Sequence, residues 1–140
     1  SGKLDVMASD FGCPNGLAFN SDESRLYVSD TGLVTEENPP THIRMFDVAA
    51  DGSLSGGNIF HEINPGLSDG FRLDTDDNIW SSAADGVHCI SKEGELLGKI
   101  LVPELVSNVC FGGRSKHQLF ITASTSVYCI SLNRQGIQTP

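Results

Sequence analysis

The sequence predicts an all-β chain: a β-propeller of the six-bladed type, here about three blades' worth of antiparallel strands. Three observations predict it. Apolar residues alternate or run in short β-rich stretches, and almost nothing has helical spacing. Turn pairs divide those stretches, as at Asp51-Gly52, Asp85-Gly86 and Glu93-Gly94. One pattern also recurs along the chain. It reads Asn15-Gly-Leu-Ala-Phe19 … Leu26-Tyr-Val28, then Asp69-Gly-Phe-Arg-Leu73 … Ile79-Trp-Ser81, then Ser107-Asn-Val-Cys-Phe111 … Leu119-Phe-Ile121. A sandwich accommodates as many strands but does not explain that repeat.

Taken in order, Lys3 to Ala8 reads as the outer strand of a preceding blade. The first full blade spans 15–62, with strands expected over 15–20, 25–30, 42–48 and 57–62. The second spans 69–101, with strands over 69–74, 78–83, 86–91 and 96–101. The third, 107–131, has strands over 107–112, 118–123 and 126–131 and lacks a fourth. The whole of 1–140 is thus expected to be a single partial propeller domain. It is a fragment of a longer ring, or one half of a homodimer. In a two-fold pair, the first strand of each copy completes the last blade of the other, and the ring has six blades.

Acidic residues outnumber basic ones 18 to 9, for a formal net charge of -9. That excludes nucleic acid and anionic membrane as expected partners, since both need clustered Lys and Arg. It fits attraction of cations, and it fits plain solubility. No apolar run reaches the length of a transmembrane helix. Cys13, Cys89, Cys110 and Cys129 show neither CxxC nor zinc spacing. Cys89 in Val87-His-Cys-Ile-Ser91 and Cys129 in Val127-Tyr-Cys-Ile-Ser131 hold the place that Met45 holds in Ile43-Arg-Met-Phe-Asp47. A position shared by Met and Cys is a packing position, so these thiols are expected to be reduced, and the protein cytoplasmic.

In a propeller, residues leading into the inner strands face one another at the central channel. Asn15 offers an amide oxygen there and Asp69 a carboxylate, both hard donors suited to Ca²⁺, Mg²⁺ or Mn²⁺. The competing reading makes Asn15-Gly16 and Asp69-Gly70 turn dipeptides only. Ser107, the third equivalent, is a poor ligand. The loop Thr31–Thr41 stretches the interval from Leu17 to Ile43 to 26 residues, against 16 from Phe71 to Val87. It is either a lid over the channel mouth or an inert insertion, and His42 at its edge either contacts substrate or faces solvent. Glu36-Glu37 reads as a solvated face of that loop. Ser68 and Ser81-Ser82 lack a His/Asp partner pattern, and no nucleophile elbow occurs, which argues against a serine hydrolase.

The ordered set Cys-Pro14-Asn15-Gly-Leu-Ala-Phe, Arg-Leu-Tyr-Val-Ser-Asp30, Leu-Ser-Asp69-Gly-Phe-Arg-Leu-Asp74, Asn-Ile-Trp80-Ser-Ser and Val-Cys-Phe111-Gly-Gly resembles the gluconolactonase/regucalcin family. The resemblance runs from about Lys3 to Asn133 and covers that family's C-terminal half. It implies a six-bladed propeller with one divalent cation in its channel, Ca²⁺ ahead of Mg²⁺, Mn²⁺ or Zn²⁺. It also implies hydrolysis of a small-molecule lactone. By that resemblance Asn15 and Asp69 are metal ligands, and Asp69 is also the general base. The family's metal-binding Glu, and its substrate-contacting Arg and Asn, have no counterpart in these 140 residues. The missing N-terminal half is therefore an expected partner, as an alternative to a second copy.

Overall fold

The computed structural model describes residues 2–32 and 37–137, which form eleven strands in three antiparallel sheets. The first sheet places β1 (Pro14–Phe19), β2 (Arg25–Asp30), β3 (His42–Val48) and β4 (Leu54–Glu62) side by side. The second repeats the meander with β5 (Phe71–Leu73), β6 (Ile79–Ala83), β7 (Gly86–Ile90) and β8 (Leu96–Leu101). The third holds β9 (Val106–Gly112), β10 (Gln118–Ala123) and β11 (Val127–Ser131). These are the blades of a β-propeller. Among the described residues no helix is long and apolar enough to cross a membrane.

The register matches the sequence repeat. Tyr27 pairs with Met45, Trp80 with Cys89 and Phe120 with Cys129, one equivalent pair per blade. Because strand side chains alternate, each pair belongs to the face directed at the next blade. Between blades one and two, Tyr27, Ile43, Ile63, Phe71, Leu73, Ile79 and Ile90 form one core cluster. Between blades two and three, Trp80, Val87, Val109, Phe111, Leu119 and Ile121 form another. Trp80 and Phe111 meet edge to face with ring centroids 6.2 Å apart. Fully burying one such side chain stabilises the fold by about 1.5–3 kcal/mol.

Asp74, with no solvent exposure, ties the start of blade two together. Its carboxylate accepts the backbone N–H and Nδ2–H of Asn78, the Asp76 N–H and the Trp80 Nε1–H. Glu104 plays a similar part at the edge of blade three, accepting Thr125 N–H and, at 2.6 Å, the Tyr128 hydroxyl. Hydrogen bonds from Ser126, Tyr128 and Thr125 hold its carboxyl at about 2.

Three expectations are corrected. Residues 3–8 form no strand, and Leu4 and Val6 are 95% and 80% exposed. A strand needs a neighbour to complete its hydrogen-bond ladder, and no described residue supplies one. Ala8 and Phe11 instead cover Leu26, Val28 and Phe46 on the outer face of blade one. β4 begins at Leu54 rather than 57, because Gly56 and Gly57 adopt φ of 83° and 76° and are absorbed as a bulge. Cys129 is no core thiol: it and Cys110 are exposed on blade three's outward face, whereas Cys89 is partly buried and its thiol is pushed up to about 11 by burial. After β11 the chain doubles back beneath blade two. Gly136 bridges to Asp74, and Ile137 N–H donates to the Leu73 carbonyl.

Candidate functional site

The inner strand β5 contacts both β1 and β9, and the segments leading into them meet through Gly16 against Asp69 and Gly70 against Asn108. Gly16 N–H donates to the Asp69 carbonyl at 2.9 Å, so the Asn15-Gly16 and Asp69-Gly70 peptides touch directly. A Cβ on Gly16 would lie 2.6 Å from that carbonyl oxygen. One on Gly70 would lie 2.3 Å from Asn108 Oδ1. Neither glycine has a positive φ. Gly16 lies inside β1 and Gly70 in the bend that precedes β5, and at both a Cβ would collide with a neighbouring blade, so close approach as well as local geometry calls for glycine. Asp51-Gly52, Asp85-Gly86 and Glu93-Gly94 do place their glycines at positive φ.

Asp69 is held by its backbone. Ser82 Oγ accepts the N–H of Asp69 at 2.8 Å and of Gly70 at 3.2 Å, and Ser82 N–H donates back to the Gly70 carbonyl. The side chain is half-buried, and neither carboxylate oxygen accepts a hydrogen bond from a described residue. The backbone is thus fixed, while the carboxylate it carries is left without a hydrogen-bond partner among the described residues.

Asn15 is exposed and is positioned through Asp30. The buried Asp30 carboxylate accepts N–H bonds from Gly12 at 2.9 Å, Cys13 at 2.8 Å and Gly32 at 3.2 Å. Burial pushes its pKa up, but the Cys13, Gly12 and Gly32 N–H groups outweigh that and hold it below its ordinary 3.8. The folded pKa lies below the unfolded one. Asp30 therefore contributes stability at neutral pH that is lost as pH falls below about 4 through the folded value. Wild type is expected to lose more stability than Asp30→Asn between pH 7 and pH 3, as measured by urea midpoints at each pH.

His42 pairs in register with Asp30 on one side and Glu62 on the other. It sits at the same end as Asn15 but two strands outward, about 10 Å from β1. Residues 33–36 lie outside the described residues, and so do the lid reading of Thr31–Thr41 and the placement of Glu36.

The described residues contain no group of three or more His, Cys, Asp or Glu side chains arranged to hold a metal. Asn15 and Asp69 offer two hard oxygens, a donor set that fits part of a Ca²⁺ or Mg²⁺ shell. The largest cavities lie elsewhere. One of about 450 Å³, lined by Ala18, Phe19, Asn20, Leu73 and Ile137, is at the opposite end of β1 and β5.

Sequence reasoning missed Ser82 as the support of Asp69. It also missed Asn108, the residue that follows Ser107 and replaces the repeat's glycine. The absence of a glycine at that one repeat was the available signal. A His88–Asp85 pair, 2.7 Å apart, stands across from Ser81, which itself bonds Ser68. Burial lowers the His88 pKa, and Ser68, Ser81 and His88 are at most 1% exposed, so no substrate reaches them.

Residues 1–125 match the family model described as SMP-30/Gluconolactonase/LRE-like region. A gluconolactonase of Zymomonas mobilis is 30% identical over 136 residues, covering 90% of this chain and 36% of that protein. The pentonolactonase XacC of Haloferax volcanii is 32% identical over 132 residues, covering 88% of this chain and 42% of its own. Among solved structures, the Xanthomonas campestris gluconolactonase XC5397 superposes with a TM-score of 0.82 at 37% identity, over 93% of this chain and 41% of that one. The chain thus spans under half the length of each of these proteins.

Proposed function

The chain belongs to the SMP-30/gluconolactonase/LRE-like family, and from that premise we propose that it carries half of a metal-assisted lactonase site. Lactone hydrolysis is the activity named for its relatives. The observation that carries the proposal here is Asp69, anchored through its backbone beside Asn15 with its carboxylate unengaged.

Asn15 and Asp69 would hold a divalent cation, Ca²⁺ first by the hardness of the donors. Such an ion, when bound, polarises a lactone carbonyl and stabilises the oxyanion that develops on it. Asp69 takes a proton from the attacking water as the water oxygen bonds to the carbonyl carbon. The ring C–O bond then breaks, its oxygen receives the proton, and a hydroxy acid leaves. The Asp30 clamp on Gly12 and Cys13 holds the segment that presents Asn15 as a cation ligand. His42, on the same rim, is proposed to contact the sugar hydroxyls.

The ring needs three more blades. Leu17 and Phe19 on blade one are 57% and 41% exposed, and Phe120 on blade three is 40% exposed. These open faces fit a neighbour, either the N-terminal half of a longer protein or a second copy turned by 180°. Light scattering is expected to give twice the 15.0 kDa chain mass if copies close the ring. A 15.0 kDa species at micromolar concentration contradicts the dimer.

A second reading is a non-catalytic metal- or ligand-binding module, favoured by the lack of a third ionic ligand among the described residues. Hydrolysis of glucono-δ-lactone, followed by acid release with and without added Ca²⁺, separates the two. A Ca²⁺-dependent rate above buffer supports the lactonase. Ca²⁺ binding with no rate supports the module.

A further inference from the structure

Arg72 is the second residue of β5, an inner strand, three positions beyond Asp69. Its neighbours Phe71 and Leu73 point into the core shared with blade one, so Arg72 points the other way, toward blade three. It reaches a cavity of about 140 Å³ lined also by Val109 and by Asn108, Cys110, Phe120 and Thr122, the last four on the outward face of blade three. The described ion pairs all involve other residues. Its one hydrogen bond runs from Nη1 to its own strand's Phe71 carbonyl, at 2.7 Å. Nε is buried and has no partner.

Although the chain has 18 acidic residues against 9 basic ones, no carboxylate among the described residues pairs with this inner-strand arginine. Arg72 is partly buried, but its Nε is enclosed, and an enclosed guanidinium N–H without an acceptor is costly. Its surroundings sharpen the point. Asn108 Oδ1 accepts the Val109 N–H at 2.9 Å, which leaves Nδ2 as the outward donor. Thr122 Oγ1 is engaged with Ser107 Oγ and the Asn108 carbonyl. The free hydrogen-bonding groups at this cavity are therefore donors, from Arg72 and Asn108. Asn108 also presses on Gly70, the residue after Asp69, which places the cavity beside the start of β5.

We propose that Arg72 and Asn108 form an anion subsite in the channel, which takes the carboxylate of the hydroxy acid released by lactone hydrolysis. The inference rests on the lactonase reading for the identity of the anion. The planar fork of a guanidinium matches a carboxylate in two parallel bonds. A cavity of about 140 Å³ has room for a carboxylate with a few waters beside it, each water occupying about 30 Å³ of liquid. An open-chain acid bound here keeps its charged end beside Asp69's strand, where a neutral lactone has no charge to offer. The subsite thus favours product over substrate.

Calorimetric titration of the chain with sodium gluconate, with neutral glucitol and with inorganic phosphate tests this without any turnover. Gluconate is expected to bind at least tenfold more tightly than either of the others. Arg72→Gln is expected to lose that preference, and Arg72→Lys to retain part of it, with thermal unfolding confirming that both variants are folded. Unchanged gluconate binding in Arg72→Gln overturns the proposal, as does equal binding of glucitol or phosphate. If gluconate binds through Arg72 but the chain hydrolyses no lactone, the lactonase reading fails and the anion subsite stands. If hydrolysis is found and Arg72→Gln binds gluconate normally, the reverse holds.

Discussion

Asp69→Ala is expected to lower Ca²⁺-dependent lactone hydrolysis by about 10²- to 10⁴-fold, the range a positioned general base contributes. The loss combines two effects, because alanine removes both a cation ligand and the proton acceptor. Asp69→Asn separates them: its amide oxygen still offers a ligand, but it takes no proton at neutral pH. The asparagine variant should therefore retain Ca²⁺ binding better than alanine while remaining nearly as slow. Steady-state rates and Ca²⁺ titrations on the same samples distinguish the roles. Little backbone disturbance is expected from either change, since Asp69 is held by its main-chain N–H and carbonyl, through Ser82 and Gly16.

The largest effect on stability is expected at Asp74. Its carboxylate is fully buried and answers donors from Asp76, Asn78 and Trp80. Asp74→Ala leaves at least two buried donors, the Asn78 N–H and Trp80 Nε1–H, without partners. At about 1–3 kcal/mol for each stranded group, the loss is expected to reach about 3 kcal/mol or more. Asp74→Asn keeps one acceptor oxygen and should lose clearly less. Urea denaturation of the three proteins gives the comparison. The damage should reach the bottom of the channel too, because Asp74 also bridges to Gly136.

The blades were legible because their signals are local. Turn pairs set the strand ends, alternation set the faces, and the repeat aligned Met45, Cys89 and Cys129 with the register found in space. The places of Asn15 and Asp69 in the fold, at or just before the start of the repeated inner strands, were legible for the same reason. What supports them was not. Ser82 reaches Asp69 from the neighbouring strand, and Asp30 clamps Cys13 from 17 residues away. Such contacts depend on how strands stack, which periodicity does not encode. The glycines were legible only in part, for a related reason. Asn-Gly and Asp-Gly carry turn chemistry in sequence, while at residues 16 and 70 the neighbouring blade also requires a surface without a Cβ. Residues 3–8 have the apolar alternation of a strand, yet a strand exists only with a neighbour, and sequence alone does not say who supplies it.

The most direct test of the central claim is the initial rate of glucono-δ-lactone hydrolysis by chelator-treated protein before and after Ca²⁺ is restored, with Asn15→Ala and Asp69→Ala alongside. The account predicts a rate above the buffer blank that returns with Ca²⁺ in wild type, weakens in Asn15→Ala and vanishes in Asp69→Ala. A wild-type rate equal to the blank, or an Asp69→Ala rate equal to wild type, would contradict it.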